Sequence, residues 1–359
     1  MRLRTSGRRR RGGTLLAVLV STVVASAPLL AQDKDEKGKG DDRQRADAQA
    51  LVDLVEGAAQ GKPSAGGLEL QWARHYFLKA QGGKTYVPFL VLVPSSATPP
   101  SGVGLYLRVV ARNGGAQSTD GQSGKETPEP EAEESLYEFE DLYFFELPAA
   151  AAGRPQRISR AFAVSPGEYD VYVALKERAS AKPGETPARS GLVHQTITVP
   201  DFNVTDLTTS DVIVAERIET LPEPISTDTQ ADHPFTFGQM QIVPAAEHRV
   251  AKKDELQIVF WIYNYATDPQ TKRPDVQIEY KFHRLDGEKE TYFNRTEPQV
   301  LNAGTLPPEF DVAAGHQLSG SLGVPLASFP EGDYRHEIEI QDKAAGKQAT
   351  RDVRFTVAP

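Results

Sequence analysis

Aromatic side chains are the residues of this sequence whose type and spacing best suit ligand binding. The candidates for stacking on sugar rings are Trp72, Trp261, Tyr263 and Tyr265. The last three alternate along the chain, so they share one face of a predicted strand, and Phe260 and Ile262 share the other. Because both faces are apolar, we interpret this stretch as a buried central strand and keep ligand stacking as the alternative.

Side chains that carry catalysis or bind metals are absent or scattered. The chain has no cysteine, which excludes thiolate catalysis, disulfides and thiolate-ligated metals. Its seven histidines lack the close spacing of a zinc helix, and no serine lies in a Gly-x-Ser-x-Gly turn. We therefore predict no catalytic, cofactor-binding or metal-binding residue and no cofactor. A hydrolase with an unrecognised site is kept as a further alternative.

The first 31 residues have the layout of a signal peptide. Six arginines and no acidic residue accompany an apolar run from Thr14 to Leu30. We predict that residues 1–31 direct the rest of the chain to the periplasm, the cell surface or the medium. Cleavage after Ala31 leaves no membrane span, whereas retention leaves an anchor, and the length of the run is compatible with both.

Residues 32–67 predict a charged tether and one short amphipathic helix. Residues 32–47 are almost wholly charged or small, so they contain nothing to bury. Leu51, Val52 and Val55 then recur at helical spacing before the helix-breaking Gly61-Lys62-Pro63. We expect this helix to pack on the domain that follows, with a docking helix for another protein as the alternative.

The remainder of the chain predicts an all-β fold of two immunoglobulin-like β-sandwich modules in tandem. From Leu68 the apolar period changes to two, and short β-branched or aromatic runs are separated by turn residues. The first sandwich spans residues 68–200 and contains a disordered acidic loop at 113–134, and the second spans residues 201–359. No apolar helical pattern is long enough to cover a parallel sheet, which argues against an α/β enzyme.

An internal repeat supports the tandem arrangement. Gly167 and Tyr169 open one apolar strand, Gly332 and Tyr334 open another, and each strand is followed by a turn and a closing strand. A tyrosine at this place can bury its ring while its hydroxyl bonds to backbone, which resembles the tyrosine corner of sandwich folds.

The stretch between the repeats is too apolar for a flexible linker. Residues 201–219 and 235–244 contain many aliphatic and aromatic side chains, so we predict that both segments dock on the second sandwich as strands. Only Thr220 to His233 is expected to be exposed, and the two modules are expected to hold a fixed relative orientation.

The segment Phe329-Pro330-Glu331-Gly332-Asp333-Tyr334, with the following Ile338-x-Ile340-x-Asp342-Lys343, resembles the C-terminal sandwich of exported bacterial GWxTD-domain and VWFA-related proteins. The resemblance covers Asp201 to Pro359 and implies a sandwich fold and an exported location. It implies no activity, because the domains that name those families are missing. Neither Trp72 nor Trp261 stands in a Gly-Trp-x-Thr-Asp motif.

The negative net charge of the chain argues against one class of partner, nucleic acid. The formal net charge of −9 argues against non-specific binding to nucleic acid. We therefore expect a non-catalytic exported protein that binds or assembles with another envelope or surface macromolecule, a protein rather than a glycan. The alternative is a carbohydrate-binding accessory module that uses the aromatic residues named above.

Overall fold

The fold is seen in a computed structural model, which describes residues 31–63, 66–96, 98–112, 137–151, 153–178 and 188–359. The predicted signal peptide, apart from Ala31, and the predicted acidic loop at 113–134 lie outside these residues. The prediction of an all-β fold built from sandwiches is confirmed, with one α-helix and twenty strands in the described part of the chain.

The first sandwich packs two antiparallel sheets around one core. Its strands are β1 (Gln71–His75), β2 (Leu78–Lys79), β3 (Thr85–Val93), β4 (Gly102–Ala111), β5 (Phe139–Glu146), β6 (Gln156–Val164), β7 (Gly167–Glu177) and β8 (Ser190–Val199). In one sheet β6 pairs along all of β3, and β1 and β2 pair with its other edge. The facing sheet has the order β5-β4-β7-β8. Alternate β3 residues, such as Val87 and Phe89, therefore point into the core between the sheets.

The second sandwich repeats this topology and adds strands at its edges. Its strands are β9 (Thr208–Thr209), β10 (Ile213–Thr220), β11 (Thr236–Phe237), β12 (Met240–Pro244), β13 (Arg249–Ala251), β14 (Glu255–Tyr263), β15 (Val276–Asp286), β16 (Lys289–Arg295), β17 (Gln299–Leu301), β18 (Leu318–Pro325), β19 (Gly332–Asp342) and β20 (Lys347–Ala358). β14 is flanked by β18 and by β9 with β10, as β3 is flanked by β6 and by β1 with β2. The facing sheet runs β16-β15-β19-β20, matching β5-β4-β7-β8. The duplication therefore extends over both sheets.

Both predicted corner tyrosines have the same geometry. The hydroxyl of Tyr169 donates to the carbonyl of Ser165, and that of Tyr334 donates to the carbonyl of Pro330, each at 2.8 Å and four residues back. A Cβ at Gly167 would lie 3.4 Å from the Tyr169 ring, and Gly332 has a φ of +135°, which disfavours other residues. Each tyrosine thus fixes the turn that opens its hairpin.

One α-helix precedes the first sandwich and is longer than predicted. α1 (Ala31–Ala59) includes residues 32–47, which we expected to form an unstructured tether. Lysine, glutamate, glutamine and arginine are good helix formers, so a helix that is fixed by its apolar end can propagate through such a segment. No helix in the described ranges is both long and apolar enough to cross a membrane.

The two outer faces that match by duplication differ in chemistry. On the first sandwich, Leu51 and Val55 of α1 are fully buried against Tyr106 and Ala174, and Asp47 pairs with Lys176. On the second, the matching face carries a ladder of ion pairs formed by Lys281, His283, Glu290, Arg335, Glu337, Glu339 and Asp352. We call this set the ion-pair ladder.

A third apolar core joins the two sandwiches. Tyr76 and Leu78 from the outer side of the β3 sheet meet Val259 and Trp261 from the outer side of the β14 sheet. Phe202, Ile213, Ala215, Phe235, Ile242 and Tyr263 complete this junction core. The apolar segments on either side of Thr220–His233 thus contribute to the core between the sandwiches and not to the second sandwich alone. Exposure is not confined to Thr220–His233, because residues 203–206 are exposed as well.

Hydrogen bonds reinforce the junction core. The backbone N–H of Phe77 donates to the Asp211 carboxylate at 2.9 Å, and the N–H of Asp211 donates to the Phe77 carbonyl at 3.0 Å. The N–H of Lys79 donates to the Tyr263 hydroxyl at 3.2 Å, and the Tyr86 hydroxyl donates to the Pro234 carbonyl at 2.9 Å. Because buried apolar side chains and hydrogen bonds both link the two sandwiches, the sandwiches are held in one orientation.

His336 lies in the second core where the first has an aliphatic residue. It stands two residues after Tyr334, as Val171 stands two residues after Tyr169. Its ring is fully buried and stacks on Phe282 at a centroid distance of 4.4 Å. Within the described residues neither ring nitrogen has a hydrogen-bond partner. Burial lowers the pKa of His336 from its ordinary 6.5 to about 3.

Replacing His336 with valine is expected to protect the protein against acid. Because the pKa of His336 is lower in the folded state, the unfolded state binds more protons between about pH 6.5 and about pH 3, so stability is lost as pH falls through this window. His336→Val removes that loss, which we expect to be worth about 3 kcal/mol near pH 4.5. Urea unfolding at neutral and acid pH measures the difference. An equal loss of stability on acidification in both proteins would contradict the prediction.

Candidate functional site

The aromatic residues predicted to stack on a ligand are buried or packed. Trp261 is 3% exposed, and its ring lies 4.4 Å from that of Phe237 in the junction core. Tyr263 is 8% exposed and packs edge-on against Phe202 at 5.3 Å. Both residues are therefore buried strand residues, as the sequence interpretation expected, although Tyr263 also lines a cleft of about 600 Å³.

Tyr265 and Trp72 are half-buried, and Tyr265 lines the same cleft of about 600 Å³. We expected Tyr265 on the same face as Trp261, but β14 ends at Tyr263 and Asn264 adopts a φ of 60°. This left-handed residue breaks the alternation, and Tyr265 packs against the core of the second sandwich instead. Trp72 is half-buried, stacks on Phe89 at 4.8 Å and donates from Nε1 to His75 Nδ1 at 3.1 Å.

Histidines are the side chains of this protein best suited to act as catalytic bases or metal ligands. His194 Nε2 lies 2.9 Å from Asp170 Oδ1, but the Thr196 hydroxyl donates to the same carboxylate at 2.7 Å and not to the imidazole. In the described ranges no serine or threonine hydroxyl is hydrogen-bonded to a histidine, so a nucleophile and base pair is not assembled there. Those ranges also contain no group of three or more histidine, aspartate or glutamate side chains that could hold a metal ion.

A cleft at the junction of the two sandwiches has the properties of a binding site. It encloses about 640 Å³ and lies between the β5–β6 connection of the first sandwich and the β12–β13 connection of the second. Its apolar lining is Leu92, Pro148, Ala149, Ala150, Ala151, Pro155 and Ala246. We call this cleft the junction groove. Its position between modules and its apolar lining are those of many ligand sites.

Arginines and glutamates surround this apolar lining. Arg157 pairs with Glu216 at 2.7 Å and also donates to the Pro244 carbonyl, so these two charges are satisfied. Arg154 and Arg249 are exposed, and their guanidinium groups have no hydrogen bond or ion pair to any described residue. Glu247 is the remaining acidic side chain of the groove. The unsatisfied charge is therefore predominantly positive.

A second cleft, of about 700 Å³, adjoins the junction groove and shares Glu247 and Arg249 with it. Arg74 lines this cleft and donates from Nε to the Ala246 carbonyl at 3.1 Å. Burial, with the nearby charge of Arg74, lowers the pKa of His248 to about 4. His248 is therefore neutral near neutral pH, and the positive charge of this region comes from arginines.

Sequence reasoning did not find the junction groove. Arg154 and Arg249 are far apart in the chain and stand in connections that look like ordinary surface loops. Only the docking of one sandwich on the other brings them to one cleft, and neither residue belongs to a motif.

Comparison with known proteins finds distant structural likeness. The sequence matches no protein-family model and no curated protein. The chain is similar to dimeric latent PorU from Porphyromonas gingivalis, with a TM-score of 0.28 and 8% identity over 80% of this chain and 20% of that one. It is also similar to native alpha-2-macroglobulin of E. coli, with a TM-score of 0.20 and 12% identity over 81% of this chain and 16% of that one. The chain thus spans a fifth or less of each of these proteins.

Proposed function

We propose that the chain is a non-catalytic exported binding module whose junction groove holds an apolar segment, flanked by carboxylates, of another envelope or surface protein. The exported location rests on the signal-peptide pattern of residues 1–31 and is part of the proposal. The absence of catalysis rests on the lack of an assembled nucleophile, base or metal group in the described residues.

The observation that carries the proposal is the junction core. The groove takes its walls from both sandwiches, so a variable angle between them would open and close it. The buried contacts around Trp261 and Tyr263 hold that angle, and a preformed site loses less conformational entropy when it binds.

The charges of the groove indicate the chemistry of the bound segment. Arg154 and Arg249 lie on the rim without a side-chain hydrogen bond or ion pair to any described residue. A guanidinium group binds a carboxylate with two parallel hydrogen bonds. The apolar lining between them suits small aliphatic side chains. A segment that places aliphatic residues between glutamates or aspartates fits both features.

Reversing the charges of Arg154 and Arg249 is expected to weaken this recognition. The probe is a fluorescent peptide of alternating glutamate and valine, with a lysine and valine peptide as the wrong-sign probe. We expect Arg154→Glu with Arg249→Glu to weaken binding of the acidic peptide by at least about tenfold, which is about 1.4 kcal/mol. Fluorescence anisotropy at several salt concentrations measures it, and binding should weaken as salt rises.

A matched control separates the groove from net charge. Lys289→Glu with Arg295→Glu changes the total charge by the same amount on the exposed strand β16 of the second sandwich. This control is expected to retain peptide binding. Equal weakening by both double variants, or no preference for the acidic peptide over the basic one, would overturn the proposal.

A further inference from the structure

The connection between the two sandwiches presents an exposed asparagine. After β8 ends at Val199 and before β9 begins at Thr208, the chain has no regular secondary structure. Residues 203–206 are all exposed, including Val204 at 42%, whereas Phe202 is buried in the junction core. The loop is thus anchored at Phe202 and open to solvent on both sides of it.

The residues around this asparagine form an acceptor sequence for N-linked glycosylation. Asn203-Val204-Thr205 has the Asn-x-Thr pattern without proline, and Asp201 supplies an acidic residue two positions before the asparagine. Some bacterial transfer systems require that acidic residue. The sequence therefore fits both the general Asn-x-Thr pattern and the stricter pattern that adds an acidic residue two positions before the asparagine.

The local geometry leaves the acceptor nitrogen accessible. The Asp201 carboxylate accepts the backbone N–H of Asn203 at 2.7 Å, which forms a turn stabilised by the aspartate. The amide Nδ2 of Asn203 makes only long hydrogen bonds, at 3.2 Å to Asp201 and 3.3 Å to the Gly83 carbonyl. An exposed amide held by long bonds is released at little cost.

A second sequon in the same chain provides an internal contrast. Asn294-Arg295-Thr296 also fits Asn-x-Thr, but the residue two positions before is Tyr292. Asn294 and Arg295 lie in β16, where Asn294 pairs with Phe282 of β15. This second asparagine therefore lacks both the acidic residue and the open loop.

We propose that Asn203 is the acceptor of an N-linked oligosaccharide supplied by a polyprenyl-diphosphate-linked donor. In the transfer, Nδ2 of Asn203 forms a bond to C1 of the first sugar and loses one proton. The bond between C1 and the diphosphate oxygen breaks, and polyprenyl diphosphate leaves. The proposal is independent of the junction groove and shares with the proposed function only the expectation of export.

The test uses the full folded chain and a purified bacterial oligosaccharyltransferase with its lipid-linked oligosaccharide. We expect intact-mass spectrometry to show the gain of one oligosaccharide and tandem spectra to place it on Asn203. Asn203→Gln and Asp201→Ala should each abolish the gain, whereas Asn294→Gln should not change it. Circular dichroism checks that each variant is folded.

Moving the acidic residue tests whether the open loop matters. Tyr292→Asp places an acidic residue two positions before Asn294, as Asp201 stands before Asn203, but Asn294 remains in a paired strand. We expect this variant to gain no second oligosaccharide while folded and to gain one after urea unfolding and dilution into the reaction.

Two results would overturn the proposal. One is an unmodified folded chain under conditions in which the enzyme modifies its own control acceptor peptide. The other is modification of the folded chain at Asn294 in place of Asn203.

Discussion

Replacing Trp261 with alanine is expected to lower the free energy of unfolding by about 3–5 kcal/mol, the range for truncating a large buried aromatic residue. The ring is 3% exposed and packs between strands of the two sandwiches, so its removal leaves a cavity that both sandwiches line. The loss falls on the junction core rather than on either sandwich core. Trp261→Phe keeps an aromatic ring at the position and should cost much less.

Two measurements distinguish a weakened junction from general destabilisation. Urea unfolding gives the change in free energy, and limited proteolysis reports where the chain opens locally. We expect Trp261→Ala to become sensitive to cleavage between Leu207 and Glu219, with release of two resistant fragments. Wild-type protein should resist cleavage there. Equal cleavage in wild type and variant would mean that the junction core does not hold the sandwiches together.

Truncating the corner tyrosines is expected to have an effect of similar size in each sandwich. Tyr334→Ala and Tyr169→Ala should each cost about 3–5 kcal/mol, because each removes a buried ring from a sandwich core. Tyr334→Phe and Tyr169→Phe keep the ring and lose only the bond from the hydroxyl to a backbone carbonyl. Each phenylalanine variant should therefore cost about 1 kcal/mol.

Equilibrium unfolding of the four tyrosine variants tests the structural repeat as well as its energy. If the two corners are equivalent, the alanine and phenylalanine changes should give matching pairs of values. A negligible effect of alanine at both positions would remove the corner as a stabilising feature. A large effect at one position only would mean that the two cores depend on it unequally.

Local pattern was enough to predict the longer strands. β3 carries β-branched or aromatic residues at six of its nine positions, and this pattern predicts a strand over Thr85–Val93, the bounds that β3 has. The same kind of pattern predicts one strand from Leu70 to Leu78, but the structure divides it into β1 and β2 at Tyr76 and Phe77, where the backbone of Phe77 pairs with Asp211 instead of β3. A partner from so distant a part of the chain cannot be predicted from the sequence of one strand. The three-residue strands β13 and β17 are too short to carry a pattern.

The candidate site depended on contacts between distant parts of the chain. The sequence showed that residues 201–219 and 235–244 are too apolar for solvent, but not which surface covers them. By sequence, Tyr76 and Leu78 are ordinary strand residues, although both are buried in the junction core. Arg154 and Arg249 belong to no periodic apolar pattern and to no motif. Their proximity follows only from the packing of one sandwich on the other.

The ion-pair ladder helps to determine which of the two sandwiches α1 packs on. The two sandwiches share a topology, so after duplication the helix had two equivalent sheets to cover. Counting from the corner tyrosines and their paired strands, Tyr106 and Ala174 beneath the helix correspond to Glu279 and Glu339. If Leu51 and Val55 packed on that second sheet, they would desolvate its carboxylates without supplying new hydrogen bonds, at a cost of several kcal/mol per ion. The charges of the second sandwich therefore disfavour packing of the helix there, which gives specificity for the first sandwich through an unfavourable interaction with the other.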